Sequence, residues 1–528
     1  MKGVREAVER IRKAQQTREK ILVHGDYDAD GVTGAAILGL TLQTLGIPHE
    51  IFLPDRKRDG YGVSREALEK ARREGIRFLI TVDCGISAGE EIREAREAGM
   101  DVIVLDHHRI PLAVGVTPAL PLLPPAYAIL NPLQEDCRYP FKELSAGGLA
   151  FKLSQALLGP AANEFFDLAT LSTVADLVPL QGENRILVRE GLRQLSQRRR
   201  TGIRALAEAA KLRAREVTAA HVGFVFGPRI NASGRMSSAS TALRLLLTSN
   251  DREAESLARI LEEENRQRRN EEKRVVDEAV REVERTVNFS RDRVLVVARE
   301  GWHAGVIGIV ASRLVERYHR PALVIALEKG SGKGSGRSIR HFHLFNALEY
   351  ARDFLTEFGG HEQAAGFSIE SSQIPPFQKK INEYAQTACP AETFLKSIDV
   401  DLEISLADLV PRFVKELCLL EPFGMGNPKP VFLTRGLFLR NAVRRGAMNG
   451  AQGRDKSRPY NRAWVTDGTF IYEVVGARGR APQLSFEAGE KFDLVYSVGS
   501  KTWDGETTVI LEAKDAKPSS GRGGESLR

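Results

Sequence analysis

Between Glu19 and Asp106 four short apolar runs, KILVH, HEIFLP, RFLITVD and DVIVLD, alternate with amphipathic helical patterns such as Ser64 to Glu74 and Ala88 to Ala98. Short apolar runs that alternate with amphipathic helices argue a parallel α/β sheet. In open sheets of this kind ligands bind beyond the carboxyl ends of the strands. Three of the four runs end in acids or histidines.

The first of these ends, Ile21 to Gly34 (ILVHGDYDADGVTG), brings His24, Asp28 and Asp30 to a strand-to-helix junction. Two carboxylates two residues apart with a nearby imidazole form a half-site for a divalent metal. An aspartate before a helix is also an ordinary cap, because it satisfies free N–H groups and the helix dipole. Asp83 closes the run before Cys84, and Asp106 precedes His107 and His108 in the same way, where it could orient an imidazole. Further on, the helical pattern Phe165 to Val174 ends in Ala175-Asp176-Leu177-Val178-Pro179. Any one of these acids reads as a cap or a surface group. Several converging on one sheet edge repel each other unless cations neutralise them.

HGDYDADG, VDCG, LDHH and VADLVPL resemble the four motifs of the DHH phosphoesterase superfamily. The GDYDADG form, the length and the later domains are most similar to its RecJ branch of single-strand-specific exonucleases. That resemblance implies one metal held by His24, Asp28 and Asp83, and a second by Asp30, Asp83, His107 and Asp176, with Asp83 bridging. It also implies Mn²⁺ as the preferred ion, Mg²⁺ as the substitute, and His108 beside the substrate phosphate. The charge arithmetic agrees independently, since two divalent cations balance Asp28, Asp30, Asp83 and Asp176. Such a pair can activate water and stabilise an in-line displacement at phosphorus, with Asp83 and His108 as the catalytic residues.

The basic turn Pro54 to Gly62 is a solvated loop by composition, and by the resemblance its Arg56, ahead of Arg58, reaches a substrate phosphate. Gly227 to Met236 interrupts a helical region and is expected as a loop, with small residues that let a backbone approach a ligand and arginines suited to phosphate; the resemblance implies that its Arg229, Asn231 and Arg235 line the nucleotide path. Asp251 to Val287 has neither proline nor glycine and reads as one long charged helix, a spacer laced with i,i+4 pairs. A second α/β unit follows and resembles the DHH-associated domain. In it Ser335, Arg337 and Ser338 form a phosphate-binding set, and Gly359-Gly360-His361 brings an imidazole close to a ligand. The run GSGKGSGRS is no Walker loop, because Gly334 follows Lys333, and an ATPase is excluded on that ground. From Asp399 short β-like runs separated by turns suggest a small barrel, and an OB-fold fits both length and resemblance. Aromatic residues at strand spacing are core or base-stacking groups. Trp464 and Trp503, with Phe432 and Phe438, are the stacking candidates, and Arg435, Arg440, Arg444 and Arg445 the phosphate-tracking ones.

At 528 residues the chain exceeds a single core. The expected organisation is a DHH catalytic domain over 1–245, a connecting helix over 246–290, a DHH-associated substrate-binding domain over 291–390, an OB-fold over 391–515 and a flexible tail over 516–528. No apolar run approaches a membrane span, and the first residues carry no signal-peptide core, so a cytoplasmic protein is expected. Four scattered cysteines give neither a zinc spacing nor a disulfide framework. A net charge of +7 is compatible with a polyanion partner. Against many RecJ relatives the chain begins close to the first motif and stops soon after the expected barrel, a departure that bears on partner binding more than on metal chemistry.

The residues make metal-dependent hydrolysis plausible, and the resemblance implies the leading expectation, a monomeric 5′→3′ exonuclease on single-stranded DNA, acting in repair and recombination beside a helicase and a single-strand-binding protein. One alternative is a DHH phosphodiesterase of oligoribonucleotides or cyclic dinucleotides, against which the barrel argues for a polymer. A silent DNA-binding scaffold is the other, and the full set of candidate ligands argues against it.

Overall fold

β1 (Ile21–His24), β2 (His49–Phe52), β3 (Phe78–Val82), β4 (Asp101–Leu105) and β5 (Ala128–Leu130) form one parallel sheet in the order β2-β1-β3-β4-β5. The computed structural model describes residues 1–56, 58, 60, 62–111, 121–443, 462–476, 486, 489–503 and 506–519, of which 441–443, 462, 502, 503, 506 and 507 by backbone alone. Side-chain alternation splits the strands between two cores. Ile21, Val23, Ile80 and Val82 face the helices Val4–Thr17, Ala29–Thr44 and Ala146–Leu158, while Leu22, Leu79, Val102 and Val104 face Arg65–Arg73 and Gly89–Glu97. From β1 the chain moves outward to β2 and then returns past β1 to β3. The crevice between β1 and β3 is therefore the topological switch point, where ligands sit in such sheets.

Gly227–Met236, expected as a loop, is a helix fed by a five-residue π-helical turn, Val222–Phe226. Its glycines are poor helix formers, yet Gly234 lets the backbone close on the first motif. A Cβ there would stand 2.2 Å from the Tyr27 carbonyl oxygen. Tertiary packing outweighs a propensity penalty of about 1 kcal/mol per glycine.

The long helix runs from Asp251 to Thr286, about 54 Å at 1.5 Å per residue, with Asn250 accepting from the Glu253 N–H as its cap. It is more than a solvated spacer. Leu257, Ala258 and Leu261 belong to the core around the first sheet, and Val275, Ala279 and Val283 to the core of the next domain. The expected pairs are on its outer face, including Arg259–Glu255 and Arg274–Glu278.

The second sheet has the order β6-β7-β8-β10-β9, from β6 (Leu295–Glu300), β7 (Ala322–Glu328), β8 (Ser331–Arg337), β9 (Glu357–Gly360) and β10 (Ala364–Glu370). Only β6 and β7 pair in parallel. Both sheets lie in one compact unit, Met1–Lys396.

Ser397–Arg528 forms a second unit. Its strands are β11 (Leu402–Glu403), β12 (Phe432–Val443), β13 (Arg462–Thr466), β14 (Ile471–Gly476), β15 (Phe492–Trp503) and β16 (Glu506–Pro518). β12 pairs with both β13 and β15, which closes a five-stranded barrel, and β11 adds to its edge. Leu437, Val465, Phe492, Leu494, Tyr496 and Leu511 fill the interior. β16 extends to Pro518, so the barrel takes in the first residues assigned to the tail.

Candidate metal and phosphate site

Strand ends deliver all the acids but Asp176, which follows the helix Phe166–Ala175. After β1 the chain turns through Asp26 and Tyr27 to Asp28, the N-cap of the helix Ala29–Thr44, whose Oδ1 accepts from the N–H groups of Asp30 (2.9 Å) and Gly31 (3.2 Å). Asp30 is pinned by another helix start. Its Oδ2 accepts from the Ala146 N–H and its Oδ1 from the Gly147 N–H, both at 2.8 Å, and from the Ser172 hydroxyl. A side chain at residue 147 would collide with Ser172, so the glycine is what allows this approach. Asp83, directly after β3, adopts a left-handed φ of 66°, and Leu177, directly after Asp176, one of 61°. Non-glycine residues in that region cost about 1–3 kcal/mol, and such strain collects at functional sites.

These side chains converge. His107 Nε2 lies 3.6 Å from Asp30 Oδ2, 3.4 Å from Asp83 Oδ1 and 3.5 Å from Asp176 Oδ2. Asp30, His107 and Asp176 form one potential donor group and Asp26, Asp28 and Asp83 another, while Asp83 with His107 and His108 forms a third that links them. The donors fit small divalent cations. His107 Nε2 and Asp26 Oδ1 are buried without a hydrogen-bond partner, which is costly for polar atoms unless something else occupies them. Burial and the neighbouring acids push the carboxyls of Asp26, Asp28 and Asp83 above the usual range, and that of Asp176 up to about 9. Burial lowers the His107 pKa against the pull of Asp30, keeping the neutral imidazole a metal requires.

His24 is left outside these groups, contrary to its expected place as a ligand. Its Nε2 accepts from the Ser64 N–H at 3.0 Å, and its Nδ1 lies 3.5 Å from Cys84 Sγ. Strand alternation puts its side chain on the Leu22 face, toward Ser64, and Asp26 stands in the donor set instead. Asp26 was legible in principle as the first of three alternate acids in DYDAD.

Asp106 does orient an imidazole, that of His108. Its Oδ1 accepts from His108 Nδ1 at 2.7 Å and from the His108 N–H at 3.0 Å, and its Oδ2 from the Ile86 N–H. Burial opposes the imidazolium, but that bond and the charges of Asp106, Asp176 and Asp30 prevail, and the His108 pKa is pushed up to about 9. Asn131, fully buried, donates to the His108 carbonyl and fixes the backbone beneath it.

A cluster of arginines adjoins the acids. Arg56 lies over the Tyr27 ring at 5.2 Å, and Arg235 donates to the Gly305 carbonyl at 2.9 Å. Arg337 bonds Ser335 Oγ and the Gly336 carbonyl. Burial, then the charges of Arg56, Arg268 and Arg337, lower the Arg235 pKa to about 10, and burial with Arg56 depresses Arg337. Arg56, Arg235 and Arg337 thus bring like charges together from three elements, as an anion site requires. The Ser338 hydroxyl is committed to the Phe342 carbonyl. His361 keeps much of its surface in solvent, and the partial desolvation of its ring, then the charges of His108 and Arg109, lower its pKa; Arg109 is the residue after the HH pair that sequence reasoning passed over.

Other candidates have structural work. Arg229 is buried, with Nε on Glu262 at 2.6 Å and Nη1 on the Val225 carbonyl at 2.7 Å, so it ties its helix to the long one rather than lining a nucleotide path. Asn231 Oδ1 accepts from the Ala29 N–H at 2.7 Å and thereby supports the first motif. Arg58 pairs with Glu66.

In the barrel unit Phe432 is core, packed on Tyr496, and not a stacking surface. Arg435 is held by both Glu403 oxygens and by Asp493, which takes it from the phosphate-tracking set. Trp464 is half-buried between the inward-facing Ala463 and Val465, Phe438 lies beneath Lys491, and Arg440 is exposed. The Trp503 side chain, Arg444 and Arg445 lie outside the described residues.

A model of the DHH family's N-terminal domain matches residues 20–178, one of the DHHA1 domain 291–387 and one of the RecJ OB domain 400–515. The single-stranded-DNA-specific exonuclease RecJ of Bacillus subtilis is 38% identical over 98% of this chain, which spans 63% of that relative's length. The Escherichia coli RecJ is 37% identical over 82% of this chain and 78% of its own. A crystal structure of Thermus thermophilus RecJ in complex with Mn²⁺ matches with a TM-score of 0.81 at 33% identity, over 100% of this chain and 73% of that one. The Mg²⁺ complex matches with a TM-score of 0.75 at 31% identity, over 99% and 71%. Motifs, domain order and strand topology agree with these similarities, and the chain belongs to the RecJ family of DHH proteins.

Proposed function

We propose that this chain is a metal-dependent exonuclease that hydrolyses single-stranded DNA from its 5′ end and releases 5′-mononucleotides, in repair and recombination. One observation carries the reading: donor groups linked through Asp83 and His107 stand beside a convergence of Arg56, Arg235 and Arg337. Residues 1–245 then serve as the catalytic domain and 246–290 as the helix joining it to an end-binding domain, 291–390. Residues 391–515 serve as the barrel that tracks the strand.

Asp26, Asp28, Asp30, Asp83, His107 and Asp176 would hold two divalent ions, for which oxygen donors and one imidazole favour Mn²⁺, with Mg²⁺ as substitute. When bound, such ions supply a water nucleophile of lowered pKa and offset charge at phosphorus. The arginine cluster binds the terminal phosphate and sets which bond reaches the acids. Asp106 holds His108 by Nδ1 and so orients the ring for Nε2 to pass a proton to the departing 3′ oxygen of the terminal nucleotide. Asp83 and Asp30 are buried, and the Asp30 carboxylate is fixed by the Ala146 and Gly147 N–H groups, which holds its oxygens in place between turnovers.

Among the described residues no helix is long and apolar enough to cross a membrane. The same reading makes the protein a cytoplasmic monomer that follows a helicase and meets strands coated by single-strand-binding protein. The test is digestion of 5′- and 3′-labelled single strands, duplex DNA, RNA and a cyclic dinucleotide with Mn²⁺ or Mg²⁺, beside Asp83→Asn. Early release of the 5′ label as a mononucleotide, lost in the variant, is expected. Internal cuts, or equal activity in Asp83→Asn, would sink the reading.

A further inference from the structure

Among the described residues the most exposed large apolar side chain is Phe224, at 82%. A lone exposed apolar group needs no explanation. Its position does, because Phe224 sits in the π-helical turn Val222–Phe226, a local irregularity that concentrates at functional sites. The turn runs directly into Gly227–Met236, the helix that flanks the acids. Along this stretch Val222, Phe226, Ile230 and Ser233 are buried, whereas Phe224, Pro228, Asn231 and Arg235 are exposed or half-buried and share the open side.

That open side can be followed as a rail. Arg235, at its far end, belongs to the arginine cluster. Asn231 bonds the Ala29 N–H, which places the first motif's acids beside it. One turn earlier, Gly227 packs on the residue that precedes Asp176, a Cβ there standing 3.4 Å from Ala175 Cβ. Phe224 is one turn earlier still. From Arg235 to Asn231 the helix advances about 6 Å. A strand advances about 3.4 Å per stacked nucleotide and further when stretched, so roughly one nucleotide separates the terminal phosphate from the acids. Phe224 lies beyond the acids, on the side away from the arginines.

We infer that Phe224 is a stacking platform for a base of the strand that continues past the scissile phosphate. The inference rests on the exonuclease reading above. The turn presents an aromatic ring to solvent next to a path that the arginines and acids define, and a base offers a π-face whatever its identity. Stacking there holds the strand in place after each terminal nucleotide leaves, with no sequence preference.

Equilibrium binding in EDTA, where no hydrolysis occurs, tests the inference directly. Anisotropy is measured for a 5′-phosphorylated strand of roughly twelve nucleotides and for a 5′-phosphorylated dinucleotide, with the wild type, Phe224→Ala, Phe224→Leu and Phe224→Trp. The ratio of long-strand to dinucleotide affinity is expected to fall about ten-fold in Phe224→Ala, and nearly as far in Phe224→Leu, which keeps apolar bulk without a ring. Phe224→Trp should hold it within about two-fold. An unchanged ratio in Phe224→Ala, or an equal loss in Phe224→Trp, overturns the platform. Product analysis with Mn²⁺ added reports separately on the exonuclease reading, so the two failures are distinguishable.

Discussion

Asp106 binds His108 twice, once through the ring Nδ1 at 2.7 Å and once through the backbone N–H at 3.0 Å, and so fixes both where the imidazole stands and which nitrogen faces away. The same contact holds the His108 pKa up at about 9 against burial. Without metal the charged ring is therefore present below that value and lost as pH rises through it, and the Asp106 contact acts in the same direction when metal is bound. In Asp106→Asn the charge is gone, and the alkaline limb of kcat should move to lower pH while kcat drops about 10- to 100-fold, the usual cost of losing an orienting carboxylate. A pH–rate profile on a labelled single strand checks this. A variant whose alkaline limb stays in place would show that His108 carries no proton in the reaction.

The buried acids give a stability prediction of definite sign. The carboxyls of Asp83 and Asp176 are raised by burial and by Asp30 and Asp28. Without metal the folded protein binds more protons than the unfolded chain from the ordinary aspartate range up to about 9, so its stability falls as pH rises across that window. Bound Mn²⁺ stabilises by mass action and opposes the trend. Asp83→Asn removes one charge while asparagine tolerates the left-handed backbone. Its metal-free Tm should exceed that of the wild type at pH 8, and Mn²⁺ should raise it little. A lower metal-free Tm in the variant would mean that repulsion among the acids is not the dominant cost.

Arg229 and Arg337 separate fold from function. Arg229 is buried against Glu262, and removing one partner of such a pair costs about 3 kcal/mol. Arg229→Ala should lower Tm by several degrees, and replacing both Arg229 and Glu262 with Met should recover most of the loss. Arg337→Ala should leave Tm near the wild type and raise KM about ten-fold on 5′-phosphorylated strands, the usual size of a charged hydrogen bond. Calorimetry and steady-state kinetics distinguish the two, and a KM effect without a Tm effect in Arg229→Ala would reverse the assignment.

The contrast between these arginines also marks what a sequence can and cannot carry. The parallel sheet was legible because short apolar runs alternate with amphipathic helices, and the convergence of Asp28, Asp30, Asp83 and His107 because strand ends place them, with Asp176 joining from the end of a helix. Which residue of the first motif stands among the donor groups, Asp26 rather than His24, turns on the face of β1 that its last residue takes. The Gly227 to Met236 helix was hidden by its own glycines, which local propensity penalises and which only packing against Tyr27 explains. Arg229 and Arg337 carry the same charge in similar glycine- and serine-rich surroundings, and nothing in their neighbours along the chain says that Glu262 waits for one of them. Cap and ligand were posed as alternatives for Asp28, and the carboxylate serves the helix with one oxygen while its residue joins the donor group.

In the barrel the same distinction separates Arg440 from Arg435. Arg435 is paired with Glu403 and Asp493, and its removal leaves Asp493, itself buried, without that partner. Arg440 is exposed on the same strand. A cation that touches phosphate releases counterions, so Arg440→Ala should weaken binding of long single strands uniformly across sequences and reduce the salt slope by about 1. Arg435→Ala should instead lower the stability of the barrel and leave the slope nearly as it is. Titrations of labelled strands across a range of NaCl concentrations, with Tm measured alongside, decide between the two. An unchanged slope in Arg440→Ala would place the strand on another face of the barrel.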